Sequence, residues 1–323
     1  MNTETKNTLL QSFSETTVYF PKFAKAYSMV QNAIEMTFNS QSANSAIICG
    51  RSGTGKTTLC MHLFTHYKRM YDEELPSGVF KRTTTVYFEI PEPVTIKQMA
   101  EDMLIALGVT NAKGSVAHLT SMLITQLKTM GVKVVFLDEI QRLCLPSADK
   151  VRVPALGWIV SFCNRLKIPV ILAGTQECRG ITAYLQAFAT RYTYMVVLNY
   201  FTYEPRPDSD YHRTLKKLDE IVQELRPSPN SIHFYDADIA AGLFVATSGH
   251  LKYLRTIIYR ALDRCWTRDD ENGLTREDFL YACDQLDEEF SLHTANPFLL
   301  NLSQCNELIQ RQVLRLAELW VKE

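Results

Sequence analysis

The sequence predicts an α/β protein: a parallel, five-stranded sheet covered by helices on both faces in three layers, followed by a C-terminal domain made of helices alone. Three observations carry this prediction. Short apolar, β-rich runs alternate with helix-period stretches, and strands joined by helical crossovers form a parallel sheet buried on both sides. The first run passes through a glycine-rich segment directly into the first of these helices. Beyond Tyr200 proline-bearing loops appear, and no strand-like run follows them.

The strand runs are SAIICG (45–50), TTVYFEI (84–90), VKVVFLDE (132–139), IPVILAGT (168–175) and TYMVVLNY (193–200). Helices are predicted between them over 55–70, 95–107, 115–130 and 153–166. In the second, Ile96, Met99, Ala100, Met103, Leu104 and Leu107 recur at helical spacing. The stretches 203–210 and 226–230 bracket a charged helix, and further helices are expected over 236–247, 250–265, 275–289 and 303–321. The last carries Ile309, Val313, Leu316 and Trp320 on one stripe, to pack on its own domain or to dock on a partner. The expected division is an N-terminal segment 1–30, an αβα domain 31–203, a helical lid domain 204–290 and a C-terminal helical tail 291–323.

Composition bounds the function classes. With 323 residues, 46% of them hydrophobic and 21% charged, the chain is far from disordered or fibrous composition. No run reaches the roughly 18–20 apolar residues of a membrane helix, and the opening MNTETKNTLLQSFSETT lacks a signal peptide's layout, so no membrane role and a cytoplasmic location are expected. The eight cysteines are scattered without a CxxC pair and read as reduced core thiols. A net charge of −1 neither favours nor excludes nucleic acid, because binding depends on where charges cluster.

Residues 50–57, GRSGTGKT, satisfy G-x-x-x-x-G-K-[ST] between a strand and a helix, the context that a phosphate-binding loop requires. Glycines at 50, 53 and 55 let successive N–H groups turn toward phosphate, and the helix that follows adds its positive end. The nucleotide-binding set is therefore Gly50, Arg51, Ser52, Gly53, Thr54, Gly55, Lys56, Thr57 and Thr58, with Lys56 on the β- and γ-phosphates and Thr57 on Mg²⁺. The third strand run delivers Asp138 and Glu139 at its C-terminal end, where open α/β sheets bind ligands. Asp138 is expected to hold Mg²⁺ and Glu139 to deprotonate the attacking water. No NKxD-like guanine signature is present, so ATP is the expected nucleotide. If the fourth strand lies between the two motif strands, Thr175 stands beside the γ-phosphate to polarise the water, with Gln176 the alternate and a plain strand-ending turn the bland reading.

Phosphoryl transfer gains from an arginine that neutralises developing charge, often supplied by a neighbouring subunit. Arg191, just before the fifth strand, is the first candidate and Arg179 the second. In the helical domain Lys252 and Arg255, three apart, share a helix face that can fold back on the phosphates. His62 and His66 have metal-binding spacing, yet no third ligand accompanies them.

Together these motifs resemble the AAA+ ATPases: a P-loop, an acidic pair, a strand ending in Gly-Thr, an arginine before the fifth strand and a helical lid. The stretches 158–177, 185–200 and 246–262 narrow the resemblance to the TnsC/TniB family of transposition regulators, through Asn164, Gly174, Thr175, Gln186, Arg191, Tyr192 and Gly249. The resemblance spans roughly residues 18–290 and departs from the family at Tyr192, where an Arg-Phe pair is usual, and in the thinned glycine pattern Ser248-Gly249-His250. It implies an ATP-hydrolysing protein that forms a ring or filament of its own copies on duplex DNA and bridges a target-selection protein and a transposase; the compact size points to the subgroup of CRISPR-associated transposons, where the selector is of the TniQ type. DNA contact in such rings comes from basic residues on pore loops, for which Lys97 and Lys113 are the candidates. An initiator or helicase-loader ATPase is the alternative within the same fold, and a nucleotide-dependent DNA scaffold without hydrolysis is the alternative outside enzymes.

Overall fold

The computed structural model describes residues 2–40, 44–76, 78–286 and 290–320, with the backbone alone for residues 75, 80 and 315–320. Two compact units divide the chain: Phe23–Asn199, and Met1–Lys22 together with Tyr200–Glu323. The expected boundary was at residue 204. Tyr200 and Phe201 belong with the helical residues instead, because Phe201 N–H donates to the Gly249 carbonyl at 2.9 Å and the Tyr200 ring lies 4.6 Å from that of His250.

In the first unit, α2 (Pro21–Ser40) precedes β1 (Ala46–Gly50) and α3 (Lys56–Tyr67). After them come β2 (Met70–Leu75), β3 (Gly78–Thr83), β4 (Thr85–Glu89), α4 (Ile96–Ala106) and α5 (Val116–Thr129). The unit closes with β5 (Val134–Asp138), α6 (Asp149–Leu166), β6 (Val170–Gly174), α7 (Gln186–Arg191) and β7 (Tyr194–Leu198). Strands β4-β5-β6-β1-β7 form one parallel sheet in that order, so β6 does lie between the strands of the two motifs. β1, β5 and β6 are almost continuously apolar because both faces are covered. Ile47, Cys49, Val135 and Leu137 point into a cluster with Met99 and Met103 of α4, Leu123 of α5 and Ile159 of α6, while α3 packs on the sheet from the opposite side. Ser115 and Thr95 start α5 and α4 by accepting the N–H groups of His118 and Gln98.

The helix expected over 55–70 stops at Tyr67, and Met70 opens an antiparallel hairpin that the sequence reading did not contain. The reason is local: Thr84 Oγ1 donates to the Tyr67 carbonyl at 2.6 Å and accepts the Arg69 N–H at 2.7 Å, which turns the chain out of the helix.

In the second unit, α1 (Thr3–Glu15) packs on α8 (Asp210–Leu225) and α10 (Leu251–Arg268), burying Leu10 and Phe13. α9 (Ala237–Thr247), α11 (Arg276–Asp284) and α12 (Leu302–Trp320) complete it. The first turns of α12 pack on α9 through Cys305 and Ile309, whereas Val313 is half exposed; the side chains of Leu316 and Trp320 lie outside the described residues. No helix among the described residues is long and apolar enough to cross a membrane.

Candidate phosphate-binding site

The C-terminal ends of three adjacent strands, β5, β6 and β1, bring the sequence motifs together. β1 ends in Gly50, whose position tolerates no side chain: a Cβ there would lie 2.1 Å from the Leu198 carbonyl oxygen of β7. The loop then uses left-handed backbone at Gly53 (φ 70°) and Gly55 (φ 93°), a region that only glycine occupies without strain. Thr54 is buried and donates to the Arg51 carbonyl at 2.8 Å, closing the loop on itself, while Arg51 Nε reaches Gln176 Oε1 at 3.2 Å. Lys56 opens α3 and donates through Nζ to the same Arg51 carbonyl at 2.8 Å. Burial lowers the Lys56 pKa, while Asp138 and Glu139 raise it. An anion bound in the loop relieves the cost of keeping that ammonium charged. Thr57 and Thr58 follow with exposed side chains, and Ser52 is exposed in the loop.

Asp138 ends β5 and receives two hydrogen bonds, the Glu139 N–H on Oδ1 at 2.8 Å and the Tyr87 hydroxyl on Oδ2. Burial and the bond to Asp138 push the Tyr87 phenol well up, so it remains a donor. Glu139 adopts left-handed backbone (φ 63°, ψ 28°), uncommon for a residue with a Cβ and frequent where function over-determines geometry. Its Oε2 accepts from Gln141 Nε2 at 2.6 Å and faces Arg142 Nη2 at 3.7 Å. Arg142 in turn donates to the Ile90 carbonyl beyond β4.

At the end of β6 the Thr175 N–H donates to Gln141 Oε1 at 3.1 Å, and its hydroxyl donates to Glu177. That bond holds the exposed Glu177 carboxyl below its ordinary pKa. Gln141, Tyr87 and Glu177 had no part in the sequence reading. Tyr87 pairs with Phe136 across the sheet and is thus a diagonal neighbour of Asp138 on the same face, a relation that exists only once register is known. Gln141 offered one signal, its place two residues after the acidic pair.

The remaining candidates belong to other elements. The Arg191 carbonyl accepts the Ser45 N–H at 3.2 Å at the start of β1, while Gly50 ends the same strand, so Arg191 and the loop occupy opposite edges of the sheet, about 16 Å apart at the usual strand rise. Its guanidinium donates to Asn164 of α6. Lys97 on α4 is exposed and 3.6 Å from Glu101, and Lys113 is exposed in the loop before α5. In the helical unit, Lys252 is exposed, but Arg255 is turned to α1, donating to the Phe13 carbonyl at 2.7 Å and stacking over the Phe13 ring. Burial lowers the Arg255 pKa.

The donor set fits a nucleoside triphosphate with a hard divalent cation: a loop of backbone N–H groups shaped by glycine, an ammonium, a threonine hydroxyl and a carboxylate. Comparison with known proteins bears on the same region. Residues 39–182 match the AAA domain family. No curated protein matches the chain in sequence. Among solved structures, the chain is similar to the Aeropyrum pernix ORC1 protein in complex with DNA, at 16% identity and a TM-score of 0.56 over 84% of this chain and 66% of that one. It is similar to the Aeropyrum pernix ORC2 protein at 13% identity and a TM-score of 0.57, covering 85% and 71% of the two chains. Cdc6p from Pyrobaculum aerophilum gives 15% identity and a TM-score of 0.58, covering 84% and 69%. The chain thus spans less than two thirds of the ORC1 protein's length. The family match, these likenesses and the sheet order meet on one architecture, and the fold of the chain is that of AAA+ P-loop proteins with a helical C-terminal part.

Proposed function

We propose that the protein is an ATPase that assembles with copies of itself on duplex DNA and, as a transposition regulator, links a target-selection protein of the TniQ type to a transposase. One observation carries the ATPase reading: Lys56, Asp138, Glu139 and Thr175 converge at the ends of three adjacent strands. Lys56 binds the β- and γ-phosphates of ATP, and Thr57 with Asp138 holds Mg²⁺, which supplies charge that offsets the phosphate oxygens. Glu139 takes a proton from water as its oxygen attacks the γ-phosphorus, ADP leaves, and the Thr175 hydroxyl orients that water.

Self-assembly is favoured by Arg191, which lies at the edge of the sheet opposite the loop and therefore reaches the phosphates of a neighbouring copy and not its own. Of the two lid candidates Lys252 carries the phosphate contact, since Arg255 is held by α1. Lys97 and Lys113 contact DNA phosphates, and the affinity falls steeply with salt. The bond between Arg191 and Asn164 joins two residues of the sequence pattern that resembles transposition regulators. A replication-initiator role is the second reading, favoured by the likeness to ORC1 in complex with DNA.

Phosphate release by the purified protein, with and without duplex DNA, tests the ATPase reading: release is expected to rise with DNA and to be absent in Glu139→Gln. Equal release by the two proteins would sink it. Negative-stain images with DNA and a non-hydrolysable ATP analogue are expected to show rings or filaments that Lys56→Ala does not form. Recruitment of a TniQ-type protein by the DNA-bound assembly supports the transposition role, and recruitment of a replicative helicase in its place supports the initiator role.

A further inference from the structure

The acidic pair and the threonine strand are joined by one side chain. Gln141 uses both ends of its amide: Nε2 donates to Glu139 Oε2 at 2.6 Å, and Oε1 accepts the Thr175 N–H at 3.1 Å. The fold makes room for this bridge at Gly174. A Cβ on Gly174 would come within 2.6 Å of Gln141 Oε1, 2.6 Å of Cys178 Sγ and 2.7 Å of Ile140 Cγ2, so the absence of a side chain there is what lets the amide reach the strand. Both contacts on the Glu139 carboxylate, from Gln141 and from Arg142, fall on the same oxygen, Oε2. A carboxylate gripped by one oxygen presents the other in a fixed direction.

We infer that Gln141 is a positioning residue for hydrolysis: it holds Glu139 by that residue's Oε2, leaves Glu139 Oε1 to the attacking water, and fixes the base at a set distance from Thr175. This rests on the ATPase reading above. Glu139 has left-handed backbone, and the amide two positions on reaches its carboxylate. Gln141 touches neither substrate nor cation in this role. Its loss therefore acts on turnover and leaves substrate binding alone.

The test measures kcat and KM for ATP in the presence of DNA for the wild type, Glu139→Gln, Gln141→Met and Gln141→Glu. Methionine keeps the length and loses both hydrogen bonds; glutamate keeps an acceptor for the Thr175 N–H but sets a like charge against Glu139. Both are expected to lower kcat about 10- to 100-fold, the scale of an ångström-sized misplacement, with KM within about twofold and binding of a fluorescent ATP analogue unchanged. Gln141→Glu is expected to be the slower of the two. Should Gln141→Met fail to fold, Gln141→Glu gives the same reading. A kcat within about twofold of wild type in the folded variants, or a parallel rise of KM, overturns the inference while leaving the ATPase reading in place. Wild type no faster than Glu139→Gln overturns the ATPase reading, and the inference with it.

Discussion

The strand ends of the sheet unit and the core of the helical unit use similar charged residues in opposite ways. In the helical unit, Asp278 is completely buried and holds Arg268 Nη1 at 2.6 Å, Arg264 Nε at 3.6 Å and the Thr275 N–H at 2.9 Å. Arg276 is likewise closed off by Asp238 and by the carbonyls of Phe298 and Leu300, at 2.6, 2.9 and 2.6 Å. These groups have several fixed partners each, and they stitch α10, α11 and the segment before α12 together. At the strand ends, Lys56 donates to a carbonyl of its own loop, and Arg51 Nε donates to an exposed glutamine. Such bonds are easily exchanged for phosphate oxygens. A charge with many fixed partners is structural, and one held by a single loop carbonyl is available to a ligand.

Removing one charge from each region tests that contrast, beginning with the largest effect. Lys56→Ala is expected to lower phosphate release at least about 100-fold, because an electrostatic donor to the transferred group is lost. Its unfolding free energy should stay within about 0.5 kcal/mol of wild type by denaturant titration, since the lysine's hydrogen bond is to its own loop. Asp278→Ala should do the reverse, destabilising the protein by about 1–3 kcal/mol in the same titration by taking away the buried carboxylate that Arg268 and the Thr275 N–H share. A Lys56→Ala protein that unfolds as readily as Asp278→Ala would break the comparison.

The smallest effect concerns pH and the helical unit alone. His250 caps α10 by accepting the Tyr253 N–H at 3.4 Å and sits among the rings of Tyr200, Tyr253 and Phe290. Burial lowers its pKa from 6.5, and burial lowers that of His212 in the same way. The unfolded chain therefore takes up these protons first, so stability that is complete above pH 6.5 is lost as the pH falls through the lower, folded values. Thermal melting is expected to drop between about pH 7.5 and 5.5. His250→Asn, which still caps a helix but does not titrate, should flatten part of that drop; an unchanged pH profile would show that His250 is not its source.

Much of the sheet unit was legible because its signals are local. A buried parallel strand is a short apolar run, and the runs ending at Gly50, Asp138 and Gly174 needed no knowledge of their neighbours to be read. The loop glycines announce a backbone requirement in the sequence itself, and the structure meets it at Gly53 and Gly55 with positive φ. The hairpin at 70–83 was illegible for the opposite reason: its residues mix charged and apolar types, and the helix before it ends through a threonine 17 residues from the carbonyl it bonds. The destination of Arg255 was also invisible, because the carbonyls it meets lie more than 240 residues earlier in the chain.

The sequence by itself determined the residue types of the site and their order along the chain, since phosphate-binding backbone needs glycine, lysine and threonine at contiguous positions. Tertiary structure alone decided how those pieces meet. Strand order put β6 between β1 and β5, register set Tyr87 diagonal to Asp138, and a bare Gly174 let Gln141 span from Glu139 to Thr175. The physical reason is one of range: backbone conformation is dictated by neighbours a few residues away, whereas a hydrogen bond between strands depends on packing that brings distant segments within about 3 Å.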